Sequence, residues 1–425
     1  WAHAWGGLAM ENSSGGPVRI LADPWLDDHV GGEVGGRFPR VRANWAQLGT
    51  VDAIWISHAH TDHLCPYSLL SLKQNFPAGT NLFLPISLAY LEDVFREYLP
   101  DWPLQFMTQE EPIEWKGLQM QAFFNLAPEA SNEDDCMILL VSNGREAILS
   151  EADALLPNED PEIRELVAQV LGQAGPEQRV FLTTRNELEA SMESIDALNR
   201  DERMEAVALQ RQQLAHHADS QMAANGSENC AWTTPGTVRL IIGQGIGLPH
   251  EIPEPWNKVM FPLTLEDRAR LEQETANREG MPVTVSAVHA GEELTIRDGQ
   301  IAIRDRLAGL ELLDTEVDRA FDGNIDLVAN FPIAPLREGQ RDTDAQHEAI
   351  LQSLQERYLP YLIGQRQPPV EHRLSAGQGE IRVRIRYGDS SQWKPRDYVA
   401  NFRRLQFMEA DVDEVPTEEY WATDL

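Results

Sequence analysis

The sequence predicts an α/β fold over its first three hundred residues, followed by a smaller α+β unit. Three observations lead there. Short apolar, β-branched runs alternate with helix-like segments through residue 307. Residues 380–387 then alternate Ile381, Val383, Ile385 and Tyr387 with Arg382, Arg384 and Arg386, the pattern of a half-buried strand. Hydrophobic residues make up 42% and charged residues 24% of 425, which suits a chain that buries a core and excludes wholesale disorder.

The elements follow in order. VRILA (18–22) is a strand that ends on Asp23-Pro24-Trp25-Leu26, and residues 27–44 read as a long loop. VDAIWIS (51–57) is a near-continuous apolar strand of the kind buried on both faces. Pro66 opens a helix that Pro77 stops, Leu82–Leu84 is a strand, and 89–99 is a helix with Leu91, Val94, Phe95 and Tyr98 on one face. Strands near 118–124, 136–142 and 146–149 follow, the last two joined at Asn143-Gly144. Asp160-Pro161 begins a helix that ends at Gly172, VFLTT (180–184) is a strand, and 187–222 reads as helix. VRLIIG (238–243) is a strand and 264–279 a charged helix. Val283–Val288, Leu294–Ile296 and Ile301–Ile303 read as a small meander. The division expected is 1–307, with 187–236 as a helical insertion, and 308–425.

Charge and cysteine content bound the partners. Asp plus Glu is 68 against 35 Lys plus Arg, a formal charge of −33 that repels phosphate backbones and anionic lipid. No nucleic-acid or membrane partner is expected. Cys65, Cys136 and Cys230 are too few and too scattered for a disulfide framework or a four-cysteine zinc site. With no basic-then-apolar leader after Trp1, a cytoplasmic setting is expected.

HAHTDH (58–63) carries the chemistry: three imidazoles and a carboxylate within six residues, directly after a buried strand. Residues i and i+2 of a strand end share a face, so His58 and His60 can point to one side while the turn brings Asp62 and His63 to a second point. Neutral imidazole and carboxylate are the donors preferred by zinc, iron and manganese. A polar loop that happens to hold histidines is the bland alternative.

This stretch resembles the HxHxDH signature of the metallo-β-lactamase superfamily. ILADPWL resembles its first motif, in the form found in the branch of ascorbate-phosphate lactonases and the lactamase-like domain of CMP-sialate hydroxylases, where a His-Ala pair precedes it as His3-Ala4 does here. DDCMILLVSNGREAILSEAD (134–153) resembles the strand–turn–strand leading to the bridging aspartate. The resemblance spans roughly residues 1–305. It implies a four-layer αββα sandwich with two metal ions at one edge of the sheets. His58 and His60 match ligands of the first metal, Asp62 and His63 those of the second, and Asp153 the bridging carboxylate, with Glu151 as its competitor. Asp62 and Asp153 are the residues expected to act in catalysis. Asp23 matches an aspartate that holds a ligand by hydrogen bonds rather than touching metal.

Two departures set the functional alternatives. The segment FFNLAPEASNEDD has no histidine where hydrolases of the superfamily place a third ligand; Glu129 is the best substitute, with Glu133 and Asp134 behind it, and a solvated acidic loop is the bland alternative. The last family histidine aligns with Gln244, leaving His250 as a candidate ligand or a plain loop histidine; His216 and His217 read as a solvated helix face, unless that helix folds over the site and delivers one of them, and His289 reads as structural. Replacing imidazole by carboxylate suits iron or manganese in higher oxidation states. The resemblance then implies a non-haem di-iron oxygenase hydroxylating a biosynthetic intermediate, small or carrier-bound. The cysteines supply no Rieske cluster, so an external electron donor is expected. A zinc- or manganese-dependent hydrolase is the alternative, and a scaffold with a decayed site the third reading. Trp25 and Trp256 are candidates for a pocket wall or for core, and the arginine stripe at 382–386 reads as the outer face of an edge strand.

Overall fold

The computed structural model describes residues 6–12, 15–26, 29–30, 35–37, 39–60, 62–76, 79–109, 112–124, 136–154, 161–171, 179–184, 212, 215–216, 235–243, 246–247, 264–313, 348, 351–352, 354–359, 380–386, 396–401, 406–409 and 421–424. Two mixed sheets form its centre. The first runs β1 (Gly6–Glu11), β2 (Pro17–Ala22), β3 (Ala53–Trp55), β4 (Asn81–Pro85) and β5 (Leu104–Met107) in that spatial order. β1 and β2 are an antiparallel hairpin, and β2 to β5 are parallel. Parallel neighbours need crossovers, supplied here by α1 (Pro66–Asn75) between β3 and β4 and by α2 (Glu92–Tyr98), with a preceding 3₁₀ turn at Ile86–Leu91, between β4 and β5.

The second sheet runs β6 (Ile113–Trp115), β7 (Leu118–Phe124), β8 (Met137–Ser142), β9 (Ala147–Ser150), β10 (Arg179–Thr184), β11 (Thr237–Ile242) and β12 (Val283–Ala287), again in chain order. It is antiparallel through β9 and parallel from there on. α3 (Pro161–Leu171) links β9 to β10, and α4 (Leu265–Arg278) lies between β11 and β12.

The alternation of side chains across each strand sorts these elements into layers. Trp55, with its register partners Ala22 and Phe83, faces the second sheet and packs in one cluster with Met120, Ala122, Leu139 and Val141. Ile54, with Leu21 and Leu82, faces the other way onto Leu69 and Leu72 of α1 and Phe95 of α2. That two-sided burial is why VDAIWIS is apolar at nearly every position. On the far side, Leu265 and Ala269 of α4 cover Ile241 and Ala287. Helix, sheet, sheet and helix thus make the four-layer αββα sandwich. The outer face of the first layer is also joined by Leu359, Tyr398 and Ala400 from the C-terminal part of the chain.

α4 shows how a charged helix is fitted to a core. Thr264 caps it reciprocally with Asp267, placing acid at the positive end of the helix dipole. Its inner face carries Arg268 and Glu272, and Glu272 also meets Arg239 of β11 at 2.6 Å. The Arg239 guanidinium lies 4.5 Å from the Phe181 ring centre. All three charges are buried, so the glutamate is what makes the two arginines tolerable.

Three sequence expectations are corrected. Val283–Ala287 is not part of a meander: it pairs with β11 in the large sheet, while Glu292–Arg297 and Gln300–Arg306 form a separate hairpin. The loop at 27–44 contains short strands at His29–Val30, Gly35–Arg37 and Val41–Ala43, paired partly with distant segments that periodicity cannot reveal. Glu380–Arg386 is not an edge strand, because Arg396–Asn401 and Trp421–Asp424 flank it on both sides. Of the helix expected over 187–222, only 212 and 215–216 are among the described residues, and these are helical.

Replacing Glu272 by Gln leaves two buried guanidinium groups short of a counter-charge and is expected to cost about 3 kcal/mol of stability, measured by urea unfolding. Glu311→Gln, which breaks the exposed pair with Arg42, is expected to cost no more than about 0.5 kcal/mol in the same assay.

Candidate metal centre

The parallel strands of both sheets deliver their carboxyl ends to one edge, the usual place for a site in sheets of this kind. At the end of β2, Asp23 turns into the left-handed region (φ 42°), which aspartate tolerates better than most residues. Its backbone N–H donates to Trp55 O at 2.8 Å, locking the turn to the end of β3. Behind it, the Leu26 N–H donates to Ser68 Oγ of α1 at 2.6 Å, and the buried Arg37 donates to the carbonyls of Trp25 and Val41. Trp25 is fully buried.

β3 continues through Ile56 and Ser57 into the histidine motif. The carbonyl of Ser57 accepts from the Met137 N–H at 2.9 Å, tying the two sheets together at this edge. A tight turn follows, in which His63 and Leu64 both donate backbone N–H groups to His60 O, at 3.0 and 2.7 Å. The imidazoles gather here: ring centres of His58 and His60 are 4.4 Å apart, edge to face, and those of His58 and His63 are 4.0 Å apart and tilted by 43°. Thr61 lies outside the described residues.

From the second sheet, β9 ends in Glu151, Ala152 and Asp153. Glu151 turns its carboxylate away to accept from Thr183 Oγ1 at 2.9 Å. Ala152 is left-handed (φ 49°), which swings Asp153 back toward the histidines. Asp153 Oδ2 lies 2.9 Å from His63 Nε2 and 4.0 Å from His58 Nε2. Asp62 Oδ2 is 3.6 Å from His63 Nε2.

Two donor groups result: His58, His60 and Asp153 form one, and Asp62, His63 and Asp153 the other, with the donor atoms of each within 4.8 Å of one another. Asp153 belongs to both. His58 and His63 are fully buried, whereas Asp62 and Asp153 are 14% and 23% exposed, so the cluster opens on its carboxylate side. Donor chemistry fits a pair of divalent or higher-valent cations. A second observation agrees: the buried Nε2 of His58 has no hydrogen-bond partner among the described residues. A buried polar atom left without a partner is costly, and a cation between His58, His60 and Asp153 would supply one.

Asp23 joins none of these donor groups and binds what lies behind them. Its carboxylate accepts from the Ser57 N–H and O–H, each at 2.7 Å, and lies 2.9 Å from His63 Nδ1. Ser57 was not singled out in the sequence; its signal is a polar residue closing an otherwise apolar buried strand. Glu129, Glu133, Asp134, Gln244, His250, His217 and Trp256 lie outside the described residues. His216 is exposed. The His289 ring pairs with Glu266 of α4 and holds that carboxyl below its ordinary range. Away from the cluster, a cavity of about 210 Å³ lies between β1, the second sheet and the hairpin at 292–306, lined by Leu8, Ile148, Val180, Leu182, Leu240 and Ile242 among others.

No family model matches the chain, and no curated protein matches it. Solved structures to which it is similar include CmlA, a diiron β-hydroxylase from Streptomyces venezuelae, at 16% identity over 68% of this chain and 51% of that one, with a TM-score of 0.38. A mutant of the CmlA β-hydroxylase is 20% identical over 45% of this chain and 35% of that one, with a TM-score of 0.31. The metallo-β-lactamase fold protein YhfI from Bacillus subtilis is 13% identical over 39% and 58%, with a TM-score of 0.25. The chain spans about a third to a half of the length of the two CmlA chains. Overlaps of this extent carry no activity across from those proteins. No helix among the described residues is long and apolar enough to cross a membrane.

The two buried imidazoles titrate in opposite directions. Burial holds His58 well below its ordinary value, and the neighbouring His63 adds to this. Burial also opposes charging His63, but Asp153, Asp62 and Asp23 together outweigh it and hold its pKa well above the ordinary one. In the metal-free protein, the stability contributed by His63 is therefore full below the unfolded value of about 6.5 and is lost as pH rises through the folded value. His58, kept neutral, instead costs stability as pH falls below about 6.5. A cation held by His63 would require its proton to leave, so metal affinity would rise over the same interval in which the metal-free protein loses this contribution. Scanning calorimetry in chelator and in zinc, from pH 6 to 9, is expected to show a metal-induced rise in Tm that grows with pH; a rise independent of pH would contradict the assignment.

Proposed function

We propose that this protein is a dinuclear-metal enzyme of the metallo-β-lactamase superfamily, acting as a non-haem di-iron oxygenase on a small or carrier-bound biosynthetic intermediate. The observation that carries the dinuclear reading is Asp153, one carboxylate common to two histidine-containing donor groups. The oxygenase reading rests on the sequence between β7 and β8, where 125–135 hold Glu129, Glu133 and Asp134 and no histidine. With Glu129 and His250 completing the two shells, the site would hold three carboxylates beside its imidazoles, a mixed donor set of the kind found in carboxylate-bridged di-iron proteins.

Within that reading the residues divide their work. His58 and His60 would hold one metal and Asp62 and His63 the other, with Asp153 available to both. Bound iron would supply the activation of O₂, with electrons from an external donor. Asp62 and Asp153 sit on the open side of the cluster, where their oxygens meet a substrate and can take up or return a proton. The buried imidazoles and Asp23 keep water from the back of the site and fix its geometry.

A zinc- or manganese-dependent hydrolase is the second reading, favoured by the three imidazoles among the five donors. Metal analysis of the isolated protein with its visible spectrum separates the two. Two irons per chain with ferric absorption are expected; two colourless zinc ions would favour hydrolysis, and no metal after reconstitution would sink both. Asp153→Ala is expected to lower the content of both metals, and His60→Ala that of one.

A further inference from the structure

Ser57 is fully buried between Asp23 and the two buried imidazoles. Its Oγ lies 2.7 Å from Asp23 Oδ2, 2.9 Å from His58 Nδ1 and 3.2 Å from His63 Nδ1. A hydroxyl has one proton to donate, and an ionised carboxylate can only accept. The shortest contact therefore takes the proton: Ser57 donates to Asp23. The oxygen of Ser57 then faces His58 with lone pairs alone, and the contact is a hydrogen bond only if His58 carries its proton on Nδ1. That tautomer leaves Nε2 bare, and Nε2 is the buried atom with no partner among the described residues, 4.0 Å from Asp153.

His63 is oriented differently. Its Nδ1 reaches Asp23 Oδ2 directly at 2.9 Å, a shorter contact than the 3.2 Å to the hydroxyl, so Asp23 holds this ring without Ser57 as go-between. The same carboxylate thus orients one imidazole by contact and the other through an intermediary. From this asymmetry we propose that Ser57 is a positioning residue that sets the tautomer of His58, and through it the affinity of the metal held by His58 and His60 but not of the metal held by Asp62 and His63. This rests on the dinuclear reading above, yet its first consequence belongs to the metal-free protein.

The test uses the full chain and two substitutions, Ser57→Ala and Ser57→Thr. Nitrogen-15 spectra of the histidine rings in the metal-free protein report the His58 tautomer without reference to metal or activity. The native protein and the threonine variant are expected to carry the His58 proton on Nδ1, and the alanine variant to lose that preference. Zinc titration by calorimetry then follows the two binding steps, with His60→Ala identifying the step that belongs to His58 and His60. Ser57→Ala is expected to weaken that step by about 10- to 100-fold, as removal of a hydrogen-bond partner behind a ligand typically does, and to leave the other unchanged; Ser57→Thr restores it. Equal weakening of both steps, or an unchanged His58 tautomer in Ser57→Ala, would overturn the proposal. If the alanine variant does not fold, a native His58 protonated on Nε2 overturns it just as well. Failure of the native protein to bind zinc would remove the dinuclear reading, while the ring spectra would still decide the role of Ser57.

Discussion

A carboxylate taken fully out of water must be met by donors, and the fold meets that demand at Asp23 with groups from the next strand and the turn beyond it. The backbone N–H and hydroxyl of Ser57 and the ring of His63 are held to one point. Because Ser57 also accepts from Met137, the same knot fastens the first sheet to the second. Remove Asp23, and the histidine turn, the end of β3 and the seam between the sheets all lose a common anchor.

The sandwich around this knot brings donors from distant parts of the sequence to one edge. Asp23, His58 and Asp153 follow β2, β3 and β9, three strands whose carboxyl ends meet there. The first two come from neighbouring parallel strands, so their proximity follows from one register, Ala22 opposite Trp55. Asp153 arrives from the other sheet, across the core that Trp55, Phe83 and Val141 fill. The geometry of the two candidate donor groups is therefore a product of how the two sheets stack.

Much of this was legible in the chain. Strong apolar runs marked the central strands, proline and threonine marked the starts of α1, α3 and α4, and HAHTDH marked the site. What escaped was set by contacts remote in sequence. Val283–Ala287 carries the same β-branched signal as the hairpin that follows it, and only its pairing with β11 tells them apart. The strand at 380–386 alternates as an edge strand would, yet gains partners on both sides. Asp153 was preferred to its competitor Glu151 through the resemblance alone; the left-handed turn at Ala152 and the hydroxyl of Thr183 give the two carboxylates different surroundings. Ser57 looked like the last residue of a strand because its importance lies in what surrounds its oxygen.

The left-handed turns at Asp23 and Ala152 have a consequence for how the centre responds to change elsewhere. An L-residue with a side chain gives up roughly 1–2 kcal/mol to sit in that region. Neither residue would keep the conformation in a loose chain, so the packed sheets on either side must impose it. The side chains of the cluster are consequently gathered by the sheets themselves, with Asp153 already 2.9 Å from His63. The same arrangement couples the site to the core: a substitution that loosens the contact between the sheets gives both turns room to relax and lets Asp153 drift from the histidines. The spacing of the candidate donors and the cohesion of the sandwich are, in this protein, two readings of one mechanical state.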